Sequence, residues 1–233
     1  MTKAAANRVE TAPHGERAAV AYLRLLDLIV RGRLQPGSRA VESELALRIG
    51  VSRTPMREAL ARLAGEGFLQ PCTVGRRTEL VVAPLSLAGM RELWELIGGL
   101  EAIAVRSVSR MGRDQRRQLA AAMAEINDEL SAAVTRRPRD VDRISELQTE
   151  VHVCFMDACA ATILRQVYDA VRPHVQRYEW VFCSNDRAKY RPSIEEHREI
   201  IDAIARGDGR GASVLIEQHW TAAADRTAVL IKP

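Results

Sequence analysis

Apolar residues recur three and four positions apart along most of this chain, and the rhythm gives way to alternation only once, between Phe68 and Val82. That single break limits the chain to a mainly α fold with one small ribbon. From Glu16 onward, Val20, Leu23, Leu26 and Val30 mark a first helix, which Gly32 and Gln35-Pro36-Gly37 close in a turn. Leu45, Ala46 and Ile49 mark a second, closing at Gly50. Val51-Ser52-Arg53-Thr54-Pro55 then offers hydroxyl caps and a proline, tolerated in a first turn where its missing N–H has no intrahelical partner. Met56, Leu60 and Leu63 form the core stripe of a third helix. Two short strands, 68–72 and 79–82, flank a turn at 73–77. Three short helices followed by a two-stranded ribbon predict a winged helix-turn-helix.

Beyond Pro84 only long helical patterns follow: 87–111, 115–134, 141–159, 163–183, 193–206 and 210–230, with Gly112, Pro138, Pro192 and Gly207-Asp208-Gly209 as breakers. They predict an all-α antiparallel bundle large enough to enclose a pocket. The expected layout is a mobile tail at 1–15, a winged helix-turn-helix at 16–84, a hinge near Pro84 and a helical effector-binding and dimerisation domain at 85–233.

Composition narrows the class. With 47% apolar residues in 233, the chain has material for a packed core. No run approaches the ~18 apolar residues of a membrane span. The opening MTKAAANRVETAPHGER lacks the apolar centre of a signal peptide, so the expected location is the cytoplasm. Cys72, Cys154, Cys159 and Cys183 show neither CxxC nor zinc-finger spacing and read as small buried hydrophobes. The net charge of +4 is unevenly spread: residues 1–84 carry 13 Lys and Arg against 8 Asp and Glu, the remainder 21 against 22. A basic module joined to a neutral one suggests a polyanion partner at the N-terminal end.

On the third helix Arg53 and Arg57 share a face, with Thr54 beside them and the apolar stripe opposite. That is the arrangement of a recognition helix entering the major groove of double-stranded DNA. Arginine pairs in bidentate fashion with guanine O6 and N7, and Ser52 and Thr54 suit phosphates near the helix N-terminus. Arg76 and Arg77 lie at the hairpin tip, placed for the minor groove or the backbone.

LQPGSRAVESELALRIGVSRTPMREALARLAGEGFL, residues 34–69, resembles the N-terminal domain of the GntR superfamily of bacterial transcription regulators. The ordered match runs from Pro36-Gly37 through Glu44-Leu45-Ala46, residues 50–55 and Arg57-Glu58-Ala59-Leu60 to Glu66-Gly67. It implies DNA contacts by Ser43, Ser52, Arg53, Thr54, Pro55, Arg57 and the wing residues Thr73, Gly75 and Arg76. It also implies a homodimer on a short inverted repeat of operator DNA, more often repressing than activating. The second half resembles the FadR-type branch with an FCD domain, through ELWELIGGLEAIAVRS, LQTEVHVCF and EEHREIIDAIARGDGRGASVLIEQHW. This likeness implies a sensor of small carboxylate metabolites, often acting through a divalent metal.

The histidines fit that expectation. His197 lies ten residues before Gly207 and His219 ten after Gly209, so in an antiparallel hairpin both sit about 15 Å from the loop, at one level. His152, with Gln148 one turn earlier on the same face, offers a third imidazole for Zn or Ni. Glu150 lies on the opposite side of that helix. The family's metal-binding members carry Asp where this chain has Gln148, and many carry Arg where it has Ile97. An amide oxygen can ligate a metal but brings no negative charge, so metal affinity should fall, while the apolar stripe of Leu93, Ile97, Leu100 and Ala104 favours an apolar or aromatic effector. Arg172 or Arg177 is left to supply a positive charge. The expected pocket is thus Ile97, Gln148, His152, Arg172, His197 and His219. The alternative, a metal-dependent hydrolase or oxygenase on the three histidines, calls for a carboxylate where Gln148 stands, so no enzyme is expected.

Overall fold

Helix α1 (His14–Val30) buries Ala21, Leu25 and Ile29, a stripe at four-residue spacing, against α3 (Arg53–Gly65). Helix α2 (Glu42–Ile49) adds Leu45, Ala46 and Ile49 to the same core. Gly50 adopts φ 78° and returns its N–H to the Ala46 carbonyl, a left-handed stop that lets α3 start at once. Met56, Leu60 and Leu63 face inward from α3 and meet Phe68, Leu69 and Val82. Burial of each Leu or Phe contributes roughly 1.5–3 kcal/mol. Strands β1 (Leu69–Val74) and β2 (Arg77–Val82) pair antiparallel, from Leu69 opposite Val82 to Val74 opposite Arg77. Arg39 bridges to Val81 as a short third partner.

The turn expected at 73–77 is shorter in the structure, because strand pairing extends to Val74 opposite Arg77, with Gly75 at φ 64° just beyond the first strand. Thr73 is therefore a strand residue, its hydroxyl 3.2 Å from that of Thr78. This is the computed structural model of the chain; it describes residues 14–75, 77–185 and 189–231.

The chain divides between Leu85 and Ser86 into two compact units. The second is helical throughout its described residues: α4 (Leu87–Val105), a 3-10 turn (Arg106–Arg110), α5 (Arg113–Ala133), α6 (Val141–Cys159), α7 (Thr162–Cys183), α8 (Arg191–Arg206) and α9 (Gly209–Ala228). Side chains set three of the starts. Ser86 accepts from the Gly89 N–H at 3.1 Å, Asp140 from Arg143 at 3.0 Å and Asp208 from Gly211 at 2.8 Å. Helix α4 packs on α9 and α7, α5 on α6 and α8, and α8 on α9, so α4, α6, α8 and α9 all turn a face inward. The pattern read as one helix over 87–111 ends at Val105 and tightens into the 3-10 turn. Gly98 on α4 allows the close approach of α9: a Cβ there would lie 3.2 Å from the Trp220 ring. Among the described residues no helix is long and apolar enough to cross a membrane.

Candidate functional site

The first unit presents Ser52, Arg53, Thr54 and Arg57 to solvent at the start of α3, opposite the buried Met56, Leu60 and Leu63. Ser43 on α2 and Thr73 and Gly75 on the ribbon are exposed as well. Arg76 lies outside the described residues. Two readings are corrected. Pro55 is buried, so it shapes the helix start from inside rather than presenting a surface. Ser52 occupies the N-cap position of α3, yet its side chain makes no capping bond.

Sequence reasoning also missed Glu42. Its carboxylate accepts from Arg57 Nε at 3.1 Å and Nη2 at 3.2 Å, fixing the guanidinium plane of an exposed arginine in the first turns of α3. The bonds from Arg57, aided by the charges of Arg57 and Arg53, hold the Glu42 carboxyl below its usual range.

In the helical unit three imidazoles converge. His152 on α6, His197 on α8 and His219 on α9 are all buried, with one nitrogen from each within 4.8 Å of the others. Ring centroids are 4.8 Å apart for His197 and His219, 5.2 Å for His152 and His219, and 5.3 Å for His152 and His197. Each Nδ1 has an oxygen partner. His152 Nδ1–H donates to Glu101 Oε2 at 2.9 Å, His197 to Asn127 Oδ1 at 2.9 Å and His219 to Glu196 Oε2 at 2.7 Å. The Asn127 orientation is set because its Nδ2 donates to the Ile194 carbonyl at 3.1 Å, which leaves Oδ1 to face His197.

Acceptors on all three Nδ1 atoms leave three Nε2 lone pairs for a shared ligand. The His197 Nε2 is buried with no hydrogen-bond partner. Zinc at about 2.0–2.1 Å from each nitrogen needs them about 3.3 Å apart, so the widest pair must close by about 1.5 Å at most.

The surrounding charges suit a cation. Glu101 is fully buried, and its Oε2 also accepts from Trp220 Nε1 at 2.7 Å, while Oε1 accepts from the Tyr168 hydroxyl at 3.2 Å. Burial alone would raise its pKa, but His152, the Trp220 bond and the Arg172 charge outweigh that and hold it below the usual carboxylate range. Glu196 is held low in the same way, burial being outweighed by its bonds from His219 and Arg226. Arg226 grips it at 2.6 and 2.8 Å and reaches Ser193 at 3.1 Å. Two carboxylates one step behind the imidazoles thus supply the negative charge that Gln148 lacks.

Glu101 was legible as a charged residue on the Ile97 face of α4, and Asn127 as a polar break between Met123 and Leu130. Arg226 sits seven residues, two turns, after His219.

A narrow cleft with about 30 Å³ of free volume opens on this cluster, lined by His152, His219, Gln148, Arg226, Trp94 and Phe182 among others. Gln148 makes no side-chain hydrogen bond among the described residues, consistent with a ligand-facing amide. Three expected pocket residues do not line the cleft: His197, which belongs to the buried histidine cluster but not to the cleft wall, and two that stand elsewhere. Ile97 is fully buried in the core and does not line the cleft. Arg172, buried and absent from the cleft wall, is committed to Glu179 at 3.0 Å and Thr149 at 3.0 Å. The buried Arg177 does not line it either; the arginine that does is Arg226.

Burial, with the neighbouring histidines, holds His197 well below the ordinary histidine pKa; burial also lowers His219, partly offset by Glu196. The unfolded chain therefore binds more protons than the native state as pH falls through about 6.5. Stability of metal-free protein is expected to hold above about pH 7 and to decline on acidification through that range. Thermal melts between pH 5 and 8 check this; a Tm rising toward pH 5 contradicts it.

A winged helix-turn-helix joined to an α-helical unit with a histidine-lined cleft is the plan of a two-part bacterial regulator. The FCD domain matches residues 92–222, and the bacterial regulatory proteins, gntR family, match residues 17–73. This chain belongs to the GntR family of transcription regulators, in its FCD-domain branch. A Streptomyces ambofaciens HTH-type transcriptional regulator from an unstable DNA locus is 27% identical over 206 residues, 88% of this chain and 82% of that protein. The Nta operon transcriptional regulator of Aminobacter aminovorans is 28% identical over 197 residues, 83% of this chain and 88% of its own length. Among solved structures, a Rhodococcus sp. RHA1 GntR regulator shares the fold with a TM-score of 0.73 at 20% identity, covering 93% of this chain and all of that one. E. coli McbR/YncC has a TM-score of 0.69 at 19% identity, covering 91% and 96%.

Proposed function

We propose that this regulator is a cytoplasmic, metabolite-responsive repressor that binds a short inverted repeat of operator DNA as a homodimer. In this reading the winged unit, 16–84, reads DNA through Ser43, Ser52, Arg53, Thr54 and Arg57, with the wing at Thr73, Gly75 and Arg76 beside the duplex. The helical unit, 85–233, is the sensor and the dimerisation part. It holds a divalent metal, Zn or Ni, on the Nε2 atoms of His152, His197 and His219, with the Gln148 amide oxygen beside them.

The observation that carries this is the buried, partnerless His197 Nε2 inside a cluster whose Nδ1 atoms are all engaged. An unpaired buried acceptor costs about 1–3 kcal/mol, and a shared cation removes that cost. Once bound, the ion supplies a positive charge that attracts an anionic or carbonyl-bearing effector. Glu101, Asn127 and Glu196 orient the rings, and Arg226 steadies Glu196. Effector binding shifts the helical unit between conformations with different affinity for it, and the spacing of the paired winged units follows.

The test is a titration of chelator-treated protein with Zn or Ni, followed by thermal melts and metal analysis. At a hundredfold to thousandfold excess over Kd, stabilisation of about 3–4 kcal/mol is expected, and it is lost in His197→Ala. Absence of both bound metal and stabilisation contradicts the metal site.

A further inference from the structure

Several arginines of the helical unit face carboxylates: Arg143 meets Glu129 and Glu150, Arg165 meets Asp169, Arg172 meets Glu179 and Arg226 meets Glu196. Those at one end of the unit do not. Residues 106–117, the 3-10 turn and the start of α5, hold five arginines, and 206–210, at the α8–α9 turn, hold two, against Asp114 and Asp208 alone. Asp208 is occupied in capping α9. Arg106, Arg110, Arg113, Arg117, Arg206 and Arg210 are exposed, and their side chains make no hydrogen bond or ion pair among the described residues. Arg116, half-buried, reaches only the Met111 carbonyl at 3.4 Å, and its Nε has no partner.

The fold gathers both segments at one place. A Cβ on Gly209 would lie 2.7 Å from the Arg106 carbonyl oxygen, and one on Gly207 would run into the Arg116 guanidinium. The 3-10 turn and the first turn of α5 therefore both abut the α8–α9 turn, and the remaining arginines stand within one helical turn of these contacts. Gly112, at the N-cap of α5, has no side-chain oxygen, so the positive end of that helix adds to the patch. Like charges so close repel one another, and an anionic partner relieves the repulsion.

Three features select the anion. The cations are all arginines, whose planar fork pairs with phosphate oxygens in bidentate fashion. Neither segment holds an aromatic ring on which unpaired bases would stack, which favours a duplex over a single strand. Duplex DNA is also the polyanion that the winged unit would hold nearby at high effective concentration. Helix α4, 19 residues and about 28 Å long, lies between the junction at Ser86 and this patch.

We propose that this arginine end of the helical unit binds the phosphate backbone of duplex DNA flanking the operator, without reading its sequence. The inference rests on DNA reading by the winged unit only for bringing that duplex near.

Full-length protein is tested by fluorescence anisotropy on a minimal enriched duplex and on the same duplex extended by about 15 base pairs at each end, ~50 Å, which exceeds the length of α4. The variant replaces Arg113, Arg117, Arg206 and Arg210 together by serine. None of the four has a partner to lose, so its Tm should not fall. The parent is expected to bind the extended duplex about tenfold or more tighter than the minimal one, with a salt slope steeper by about 2 or more, since each neutralised phosphate adds about 0.9. The serine variant should lose both differences and keep the minimal-duplex affinity, and lysine at the same four positions should restore most of what serine removes.

Equal affinity of the parent for the two duplexes overturns the proposal, as does a serine variant that behaves like the parent. Binding of inorganic triphosphate or phosphatidylglycerol vesicles that the variant loses, with no effect of duplex length, also overturns it. If the minimal duplex fails to bind the parent, reading by α3 fails separately, and a random-sequence duplex of about 50 base pairs decides the patch. Salt-dependent binding of that duplex, lost in the serine variant, supports the proposal; equal binding by both proteins, or none by either, overturns it.

Discussion

Replacing Arg53 and Arg57 together by alanine is expected to lower affinity for a duplex enriched from a random library on the order of 10²–10³-fold. Each arginine that reads a base contributes about 1–3 kcal/mol, and both stand exposed on one face at the start of α3. Their removal touches no core side chain, so the unfolding free energy should stay within about 0.5 kcal/mol of the parent's. Fluorescence anisotropy at several salt concentrations separates the roles. A base-reading arginine costs discrimination, while a phosphate-binding one flattens the salt slope. Glu42→Gln is the companion variant. Its ion pair with Arg57 is solvent-exposed and adds little stability, so a change in DNA affinity would report its hold on the guanidinium. Unchanged affinity in the double arginine variant removes α3 as the reading element.

Glu101→Ala should give the largest loss of stability of any single substitution in the helical unit, about 3–5 kcal/mol. One side chain accepts from His152, Trp220 and Tyr168, and its removal leaves three buried donors without a partner. Glu101→Gln keeps the shape but turns an amide N–H₂ toward donors, and should fall between the two. Denaturant melts of the metal-free forms measure this. A loss below about 1 kcal/mol would mean that water or a rearranged ring replaces the carboxylate. Because the same oxygen orients His152, Glu101→Ala should also weaken Zn binding about 10–100-fold.

Much of this was readable in the sequence, because the readable parts are local. Helical spacing and glycine stops place α2, α3 and the α8–α9 hairpin, since Gly50 and Gly207 adopt the left-handed conformation that ends a helix. The ten-residue offsets put His197 and His219 at one level because rise per residue is a property of the helix alone. What escaped depends on pairing between distant segments. Glu42 meets Arg57 across fifteen positions, Glu101 meets Trp220 across 119, and Asn127 meets His197 across 70. No periodicity encodes such partners; at most a polar residue on an apolar stripe signals that one exists. Arg172 was misplaced for the same reason. Its spacing on α7 cannot reveal that Glu179 and Thr149 already engage it.

The direct test of a sensor coupled to a DNA reader is the affinity for the enriched duplex with saturating Zn against that with chelator, in the parent and in His197→Ala. Coupling of about 1–3 kcal/mol, a change of roughly 5–150-fold, is expected in the parent and none in the variant. Equal affinity in the parent under both conditions, with Zn shown to be bound, would contradict communication between the histidine cluster and the recognition helix.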